Sequence, residues 1–337
     1  MKYSFNDLIN VIKEDLHHPN VITLNNILNN EKVKTELPNN ITVIGNYAFQ
    51  DFSDLVLTKL PDSLTEIGYS AFSNCTNLAL TEMPNSVVKI DNGAFYGCKN
   101  LALTKLSDRL TYIGEHAFSG CTNLALTELP NGVNIIYSST FANCTNLALT
   151  KLPNNLTTIN DNAFNTCSNL ALTELPDSVA TIGVNAFYDC KKLALIRIPN
   201  AVTKINESSF AYCSSLAFTE LPDSITEIDY HGFYDCKGLA LTKLPNSLSI
   251  IGFEAFENCT NLNFTEIPAS VTMINSGAFR YCTKLKTITF KGQPTSIDGT
   301  AFANTNITTI NVPWAEGAVA GAPWGASSAT INYNYTG

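Results

Sequence analysis

Ten cysteines, four histidines and a set of unevenly placed tyrosines are the residues of this chain that could carry chemistry. The cysteines stand at 75, 98, 121, 144, 167, 190, 213, 236, 259 and 282, always 23 residues apart. Stacked as neighbouring strands, their Cα atoms would lie about 4.8 Å apart. That distance allows a disulfide, but parallel Cβ vectors do not converge as a disulfide needs. Free cysteine is among the most buried residue types, so the column reads as ten reduced, buried thiols. No C-x-x-C pair or Cys/His cluster occurs, so zinc is not expected. The histidines are His17, His18, His116 and His231. His116 and His231 share a repeat position but are too many repeats apart to share a ligand. Phosphate-binding glycine loops, H-E-x-x-H and nucleophile elbows are missing from the sequence. Carboxylates recur by column, as solvated polar rungs would. The expectation is no catalytic residue, no metal, no cofactor and no enzyme. The better lead is aromatic: Tyr188, Tyr212, Tyr230, Tyr234, Phe253 and Tyr281 crowd the second half at variable positions of the repeat. Tyrosine offers contact area and a hydroxyl at modest entropy cost, which makes these six the candidate partner-binding residues. Scattered surface tyrosines are the competing reading.

The elements that must position these residues follow from the period. Phe recurs at 49, 72, 95, 118, 141, 164, 187, 210, 233, 256, 279 and 302, again every 23 residues. An unbroken period in the twenties means one small unit repeated and stacked on a shared core. Each unit reads L-x-L-T-(K/E)-L-P-x-x-(I/L/V)-T-x-I-G-x-x-A-F-x-x-C-x-x-L. Pro followed by Asn or Asp is turn chemistry. The residue after the invariant Ile is mostly Gly, Asn or Asp, which suits positive φ. Two extended pieces, around T-(K/E)-L and (V/L)-T-x-I, flank the turn. A-F-x-x-C predicts a single helical or 3₁₀ turn.

Two columns make sharper statements. The residue before L-P alternates in sign through Glu36, Lys59, Glu82, Lys105, Glu128, Lys151, Glu174, Arg197, Glu220, Lys243 and Glu266. Opposite charges on adjacent rungs attract, and a slip by one repeat would set like against like. The column is expected to face solvent, and it implies a double unit. The second Leu of L-A-L-T, from Leu57 through Leu126 and Leu149 to Phe264, lies two residues before it. Strict strand alternation would put that Leu on the charged side as an exposed stripe fit for self-association. Burial is favoured, and it requires the chain to turn between Leu and the charge.

Residues 1–34 precede the repeats. Phe5, Leu8, Ile9, Ile12 and Leu16 follow helical spacing, and Val21, Ile22, Leu24, Ile27 and Leu28 are read as another short helix. Together they predict a helical N-terminal cap. The solenoid is expected over 35–313 in about twelve repeats. A C-terminal cap over 314–337 would hold both tryptophans, Trp314 and Trp324.

The L-P, I-G and A-F-x-x-C elements at a length of 23 resemble the leucine-rich repeats of the BspA surface-protein type, found in bacterial and protist surface proteins. The resemblance covers residues 36 to about 313. It implies a right-handed α/β leucine-rich-repeat solenoid of mostly short parallel strands, and adhesion to a host or neighbouring-cell surface.

Net charge is −9 and only Arg109, Arg197 and Arg280 supply guanidinium groups, which argues against a nucleic-acid partner. No apolar run is long enough to span a bilayer. The start lacks a basic region followed by an apolar one, so no secretory signal is expected and the compartment stays unassigned. The chain is therefore read as a non-enzymatic binding or adhesion protein for a protein or glycan partner. The alternative is a structural component of a virion or other large particle, with self-association left open.

Overall fold

The computed structural model describes residues 21–22 and 37–337. The chain divides into two compact units, residues 1–156 and 157–337. Each is a parallel β-solenoid whose rungs repeat with the sequence period.

In the first unit, two-residue strands Val21–Ile22, Val43–Ile44, Glu66–Ile67, Lys89–Ile90 and Tyr112–Ile113 form one parallel sheet in chain order. Register pairs Ile44 with Ile67, Ile67 with Ile90 and Ile90 with Ile113. In the second unit, Lys204–Ile205, Glu227–Ile228, Ile250–Ile251, Met273–Ile274 and Ser296–Ile297 do the same. From Ile44 onward the isoleucine of each of these strands points inward and is buried, while its neighbour is part-exposed or exposed. A second ladder, Glu266–Ile267, Thr287–Phe290, Thr309–Asn311 and Thr330–Asn332, runs through the last repeats. In earlier repeats the T-(K/E)-L piece is not a regular strand. Among the described residues it forms an isolated parallel bridge between Glu82 and Lys105.

The core is built of stacked identical side chains. Phe49, Phe72, Phe95, Phe118 and Phe141 are offset-stacked at 5.0–5.7 Å with ring planes within 7°. Phe164 through Phe302 repeat this at 5.3–5.5 Å. Each pair is worth about 0.5–1.5 kcal/mol beyond its buried area. Phe290 meets Trp314 and Trp324 at 5.3 and 5.9 Å, and both tryptophans are buried.

Several expectations need correction. No helix occurs among the described residues, so neither the α component of the class nor the helical or 3₁₀ turn at A-F-x-x-C holds there. The backbone explains why. The N–H groups of Tyr47, Phe49 and Asp51 donate to carbonyls of the next repeat, at Tyr69, Ala71 and Ser73. The alternating Ala48, Gln50 and Phe52 bond back three residues. With alternate donors sent to the next repeat, a continuous helical ladder cannot form. The left-handed backbone also falls elsewhere than expected. It lies three and seven residues after the isoleucine, at Tyr47 (φ 58°) and Asp51 (φ 63°) and again at Ser70 (φ 48°) and Asn74 (φ 59°). Directly after the isoleucine, Gly68 is required for another reason. A Cβ on Gly68 would sit 2.9 Å from the Ile44 carbonyl oxygen and from the Asn46 nitrogen, backbone atoms of the preceding turn.

At the N-terminus, Val21–Ile22 is a strand in register with Val43–Ile44, not part of a short helix. Two adjacent β-branched side chains favour extended backbone. The remaining residues of the expected 1–34 helical cap lie outside the described residues.

The second-Leu column is core. Leu57, Leu126 and Leu149 are fully buried, and Phe264 is 1% exposed. The chain bends just after this residue, at Thr104, Thr127, Thr219 and Thr242, so two exposed residues follow before the next buried Leu. That bend breaks the alternation which would have put Leu and charge on one side.

Candidate functional site

The cysteine column is a structural ladder. All ten thiols are free and buried. Each cysteine stands three residues past its own Phe, and within each unit the Sγ reaches back to the carbonyl of the preceding repeat's Phe, as in Cys75 to Phe49 (2.9 Å), Cys121 to Phe95 (3.0 Å) and Cys282 to Phe256 (3.1 Å). This thiol-to-carbonyl bond was not legible in the sequence. Burial pushes the Cys75 thiol up to about 12 and raises Cys98, Cys121 and Cys190 as well. Groups held neutral in this way are neither nucleophiles nor metal ligands.

The charged column is exposed from Lys59 to Glu266. Its cations bond chiefly to the aspartates of the adjacent turns. Lys59 lies 3.2 Å from Asp62, Lys105 lies 3.0 Å from Asp108, and Arg197 lies 2.6 Å from Asp177. Where the column holds Glu82 the turn residue is Asn85, whose side-chain oxygen accepts the Asp108 N–H at 2.8 Å. From Glu36 to Glu128 Lys goes with Asp and Glu with Asn; from Lys151 on the pairing reverses, with Asp177 beside Glu174 and Asp223 beside Glu220.

The aromatic candidates divide. Tyr188 and Tyr234 directly follow the core Phe187 and Phe233. Tyr212 lies two residues after Phe210 in left-handed backbone (φ 63°), which sets its ring between theirs. The ring centroids are 5.2 Å apart for Tyr188 and Tyr212, and 5.3 Å for Tyr212 and Tyr234, both edge-to-face. The run continues from Tyr234 to His231 at 4.4 Å and from His231 onto Tyr230 at 3.7 Å. Four of the six candidates therefore join one continuous surface through a histidine. Phe253, 54% exposed, and Tyr281, 43% exposed, stand apart as single rings. Burial first, then the neighbouring phenols of Tyr188 and Tyr234, pushes the Tyr212 hydroxyl up to about 12. Shorter pairings occur in the first unit, at Tyr47–Tyr69 and Tyr112–Tyr137.

His231 was missed as a site residue. It occupies the left-handed position (φ 55°), and so does Glu254 one repeat later (φ 51°), which stacks their side chains. His231 Nε2 lies 2.6 Å from Glu254 Oε2. Glu254 also takes an Arg280 guanidinium nitrogen at 2.8 Å, and that nitrogen lies 2.5 Å from Glu257. Ser208 precedes His231 in the same column, yet no hydrogen bond joins its hydroxyl to the imidazole. A poised Ser-His-acid relay is therefore not assembled. The acids beside the rings are mostly paired, Asp189 with Lys191 at 3.2 Å and Asp235 with Lys237 at 3.1 Å. The result is a polar, nearly neutral aromatic surface. Among the described residues, no group of three or more His, Cys, Asp or Glu side chains could hold a metal ion, and no helix is long and apolar enough to cross a membrane.

The family described as BspA type leucine-rich repeat region matches residues 25–148, 90–217 and 204–316. The chain belongs to the BspA-type leucine-rich repeat family. Solved structures agree with that membership. This BspA-type chain is similar to a leucine-rich repeat protein from Bacteroides ovatus, with 25% identity, a TM-score of 0.66, and 88% of this chain and 82% of that one covered. It is also similar to a leucine-rich cell surface protein from Faecalibacterium prausnitzii, with 26% identity, a TM-score of 0.52, and 88% and 87% covered. A comparison with curated proteins finds no match.

Proposed function

We propose that this BspA-type chain is a non-enzymatic binding protein whose partner-contacting surface is the aromatic run Tyr188–Tyr212–Tyr234–His231–Tyr230, flanked by Phe253 and Tyr281. The observation that carries the proposal is the continuity of that run, five rings in contact across consecutive repeats of an otherwise polar face. Rigid aromatic rings cost little entropy to dock, and solenoid faces serve as extended binding surfaces. The partner is a protein or a glycan on a cell surface, in keeping with the cell-surface protein to which the chain is similar. On this reading residues 35–313 present the surface, and residues 314–337 close the end of the core. Burial of the second-Leu column removes the apolar stripe that would have favoured self-assembly.

Beads carrying the protein should adhere to one member of a panel of purified glycans and surface proteins. The pair Tyr212→Ala with Tyr234→Ala should lower that adhesion at least about tenfold, as expected for removal of central aromatic anchors. Tyr96→Ala, at an exposed tyrosine of the first unit, should not. Equal loss in both variants, or no loss in the tyrosine pair, would refute the assignment.

A further inference from the structure

A second surface, apart from the aromatic run, lies where two columns change together. The turn position that usually follows Pro is Asn or Asp at ten consecutive repeats from Asn39 to Asn246, then becomes Ala269 and Gly292. Elsewhere this side chain bridges adjacent turns, as Asp223 does by accepting both the N–H and the side-chain amide of Asn246 (2.7 and 3.1 Å). At Ala269 and Gly292 no such side chain exists. Gly292 cannot carry one, since a Cβ there would lie 2.7 Å from the Ala269 Cα and carbonyl oxygen. Beside Ala269 lies an open cleft of about 530 Å³, within the usual range for small-molecule sites. Leu244, Pro268 and Ala269 line it, together with Lys243, Glu266 and Lys291.

The charges in the cleft are not equivalent. Lys291 is held 2.9 Å from Glu266. Lys243 carries Asn246 where Lys59 and Lys105 have an aspartate; the Asp223 carboxylate feels its charge, but among the described residues no carboxylate lies within ion-pair distance of it. The cleft therefore offers one unpaired ammonium, one carboxylate able to accept hydroxyl hydrogen bonds, and the hydroxyls of Thr242 and Thr265. A single free cation suits a monovalent anion. Glu266 disfavours a polyanion such as phosphate, because a like charge at this range repels. We propose that this cleft binds an acidic sugar, its carboxylate on Lys243 and its hydroxyls on Glu266 and the threonines. The ligand is either the free sugar acid or the acidic terminus of a glycan.

The test is titration of the full chain with glucuronate, glucose, inorganic phosphate and a glucuronate-capped disaccharide, followed by NMR or calorimetry. Glucuronate should bind, with glucose and phosphate at least about tenfold weaker. Tighter binding of the capped disaccharide assigns the site to a glycan terminus, and equal binding assigns it to the free acid. Lys243→Gln should weaken glucuronate at least about tenfold. Ala269→Asn, which restores the residue type of the column and refills the cleft, should abolish binding with the melting temperature unchanged or raised. The tyrosine pair described above should leave glucuronate binding intact, so the two surfaces fail or stand separately. Glucuronate binding no tighter than glucose or phosphate, or unaltered in Ala269→Asn, would overturn the proposal.

Discussion

At the residue scale the cysteines decide most about how this protein responds to its medium. Their thiols are fully buried and bonded to carbonyls, so the native protein should react with about none of its cysteines in a thiol titration, and with all ten after denaturation. Quantitative modification of the native chain would contradict the burial. A pH dependence follows. Burial holds the folded thiols of Cys75, Cys98, Cys121, Cys190 and Cys213 above the ordinary value of 9.0, Cys75 at about 12, whereas unfolded thiols ionise near 9.0. Above that pH the unfolded state releases protons that the folded state keeps. The thiol contribution to stability is therefore intact below pH 9.0 and declines as pH rises from there towards about 12. Urea denaturation at about pH 8 and about pH 10 should show a lower midpoint at the higher value. An unchanged midpoint would mean that the thiols are not held neutral by the fold.

At the element scale the bend after the second Leu is the feature on which the L-A-L-T segment depends. It turns Leu126 and Leu149 inward while Thr127 and Glu128, and Thr150 and Lys151, stay exposed. Leu126→Asp and Leu149→Asp place an unpaired carboxylate in that core. Each should cost on the order of 4 kcal/mol or more in chemical denaturation. Stability equal to the parent, with loss of an assembly state only, would mean that the column faces solvent after all. The turn at A-F-x-x-C teaches a related lesson. Ala, Phe and Cys at these spacings fit a helical turn locally, but hydrogen bonds from Tyr47, Phe49 and Asp51 to the next repeat take the donors a helix would use.

At the scale of the whole molecule the repeat is a modular unit, but the charge column makes the natural module two repeats long. Lys59 with Asp62 and Lys105 with Asp108 alternate with Glu82 and Asn85. Deleting residues 60–105 joins Lys59 to the turn of Asp108 and preserves the alternation. Deleting residues 83–105 instead joins Glu82 to Asp108 and leaves Glu82 and Glu128 on adjacent rungs. The shorter deletion should therefore gain stability relative to the parent as salt rises from about 0.1 to about 1 M, because screening relieves the repulsion, while the longer one should track the parent. Thermal melts across that range check it. Identical salt responses would show that the alternation carries no energetic weight.

The period of 23 by itself determined which side chains stack. Successive rungs are related by a simple translation, so one column of sequence becomes one column in space. The Phe stack, the buried thiols, the inward isoleucines and the exposed charges all followed from it. Which way the second-Leu column faces, and what the backbone around it does, was decided only by the tertiary structure, because neighbouring repeats settle it. The bend at Thr104 and Thr127 depends on packing between turns, and the positive φ at Tyr47 and Asp51 depends on where their N–H groups find carbonyls. The aromatic surface shows the same division. Tyr188, Tyr212, Tyr230 and Tyr234 were visible as a cluster of residue types. His231 was not, because its place between two of those rings is set by the left-handed backbone that stacks it on Glu254.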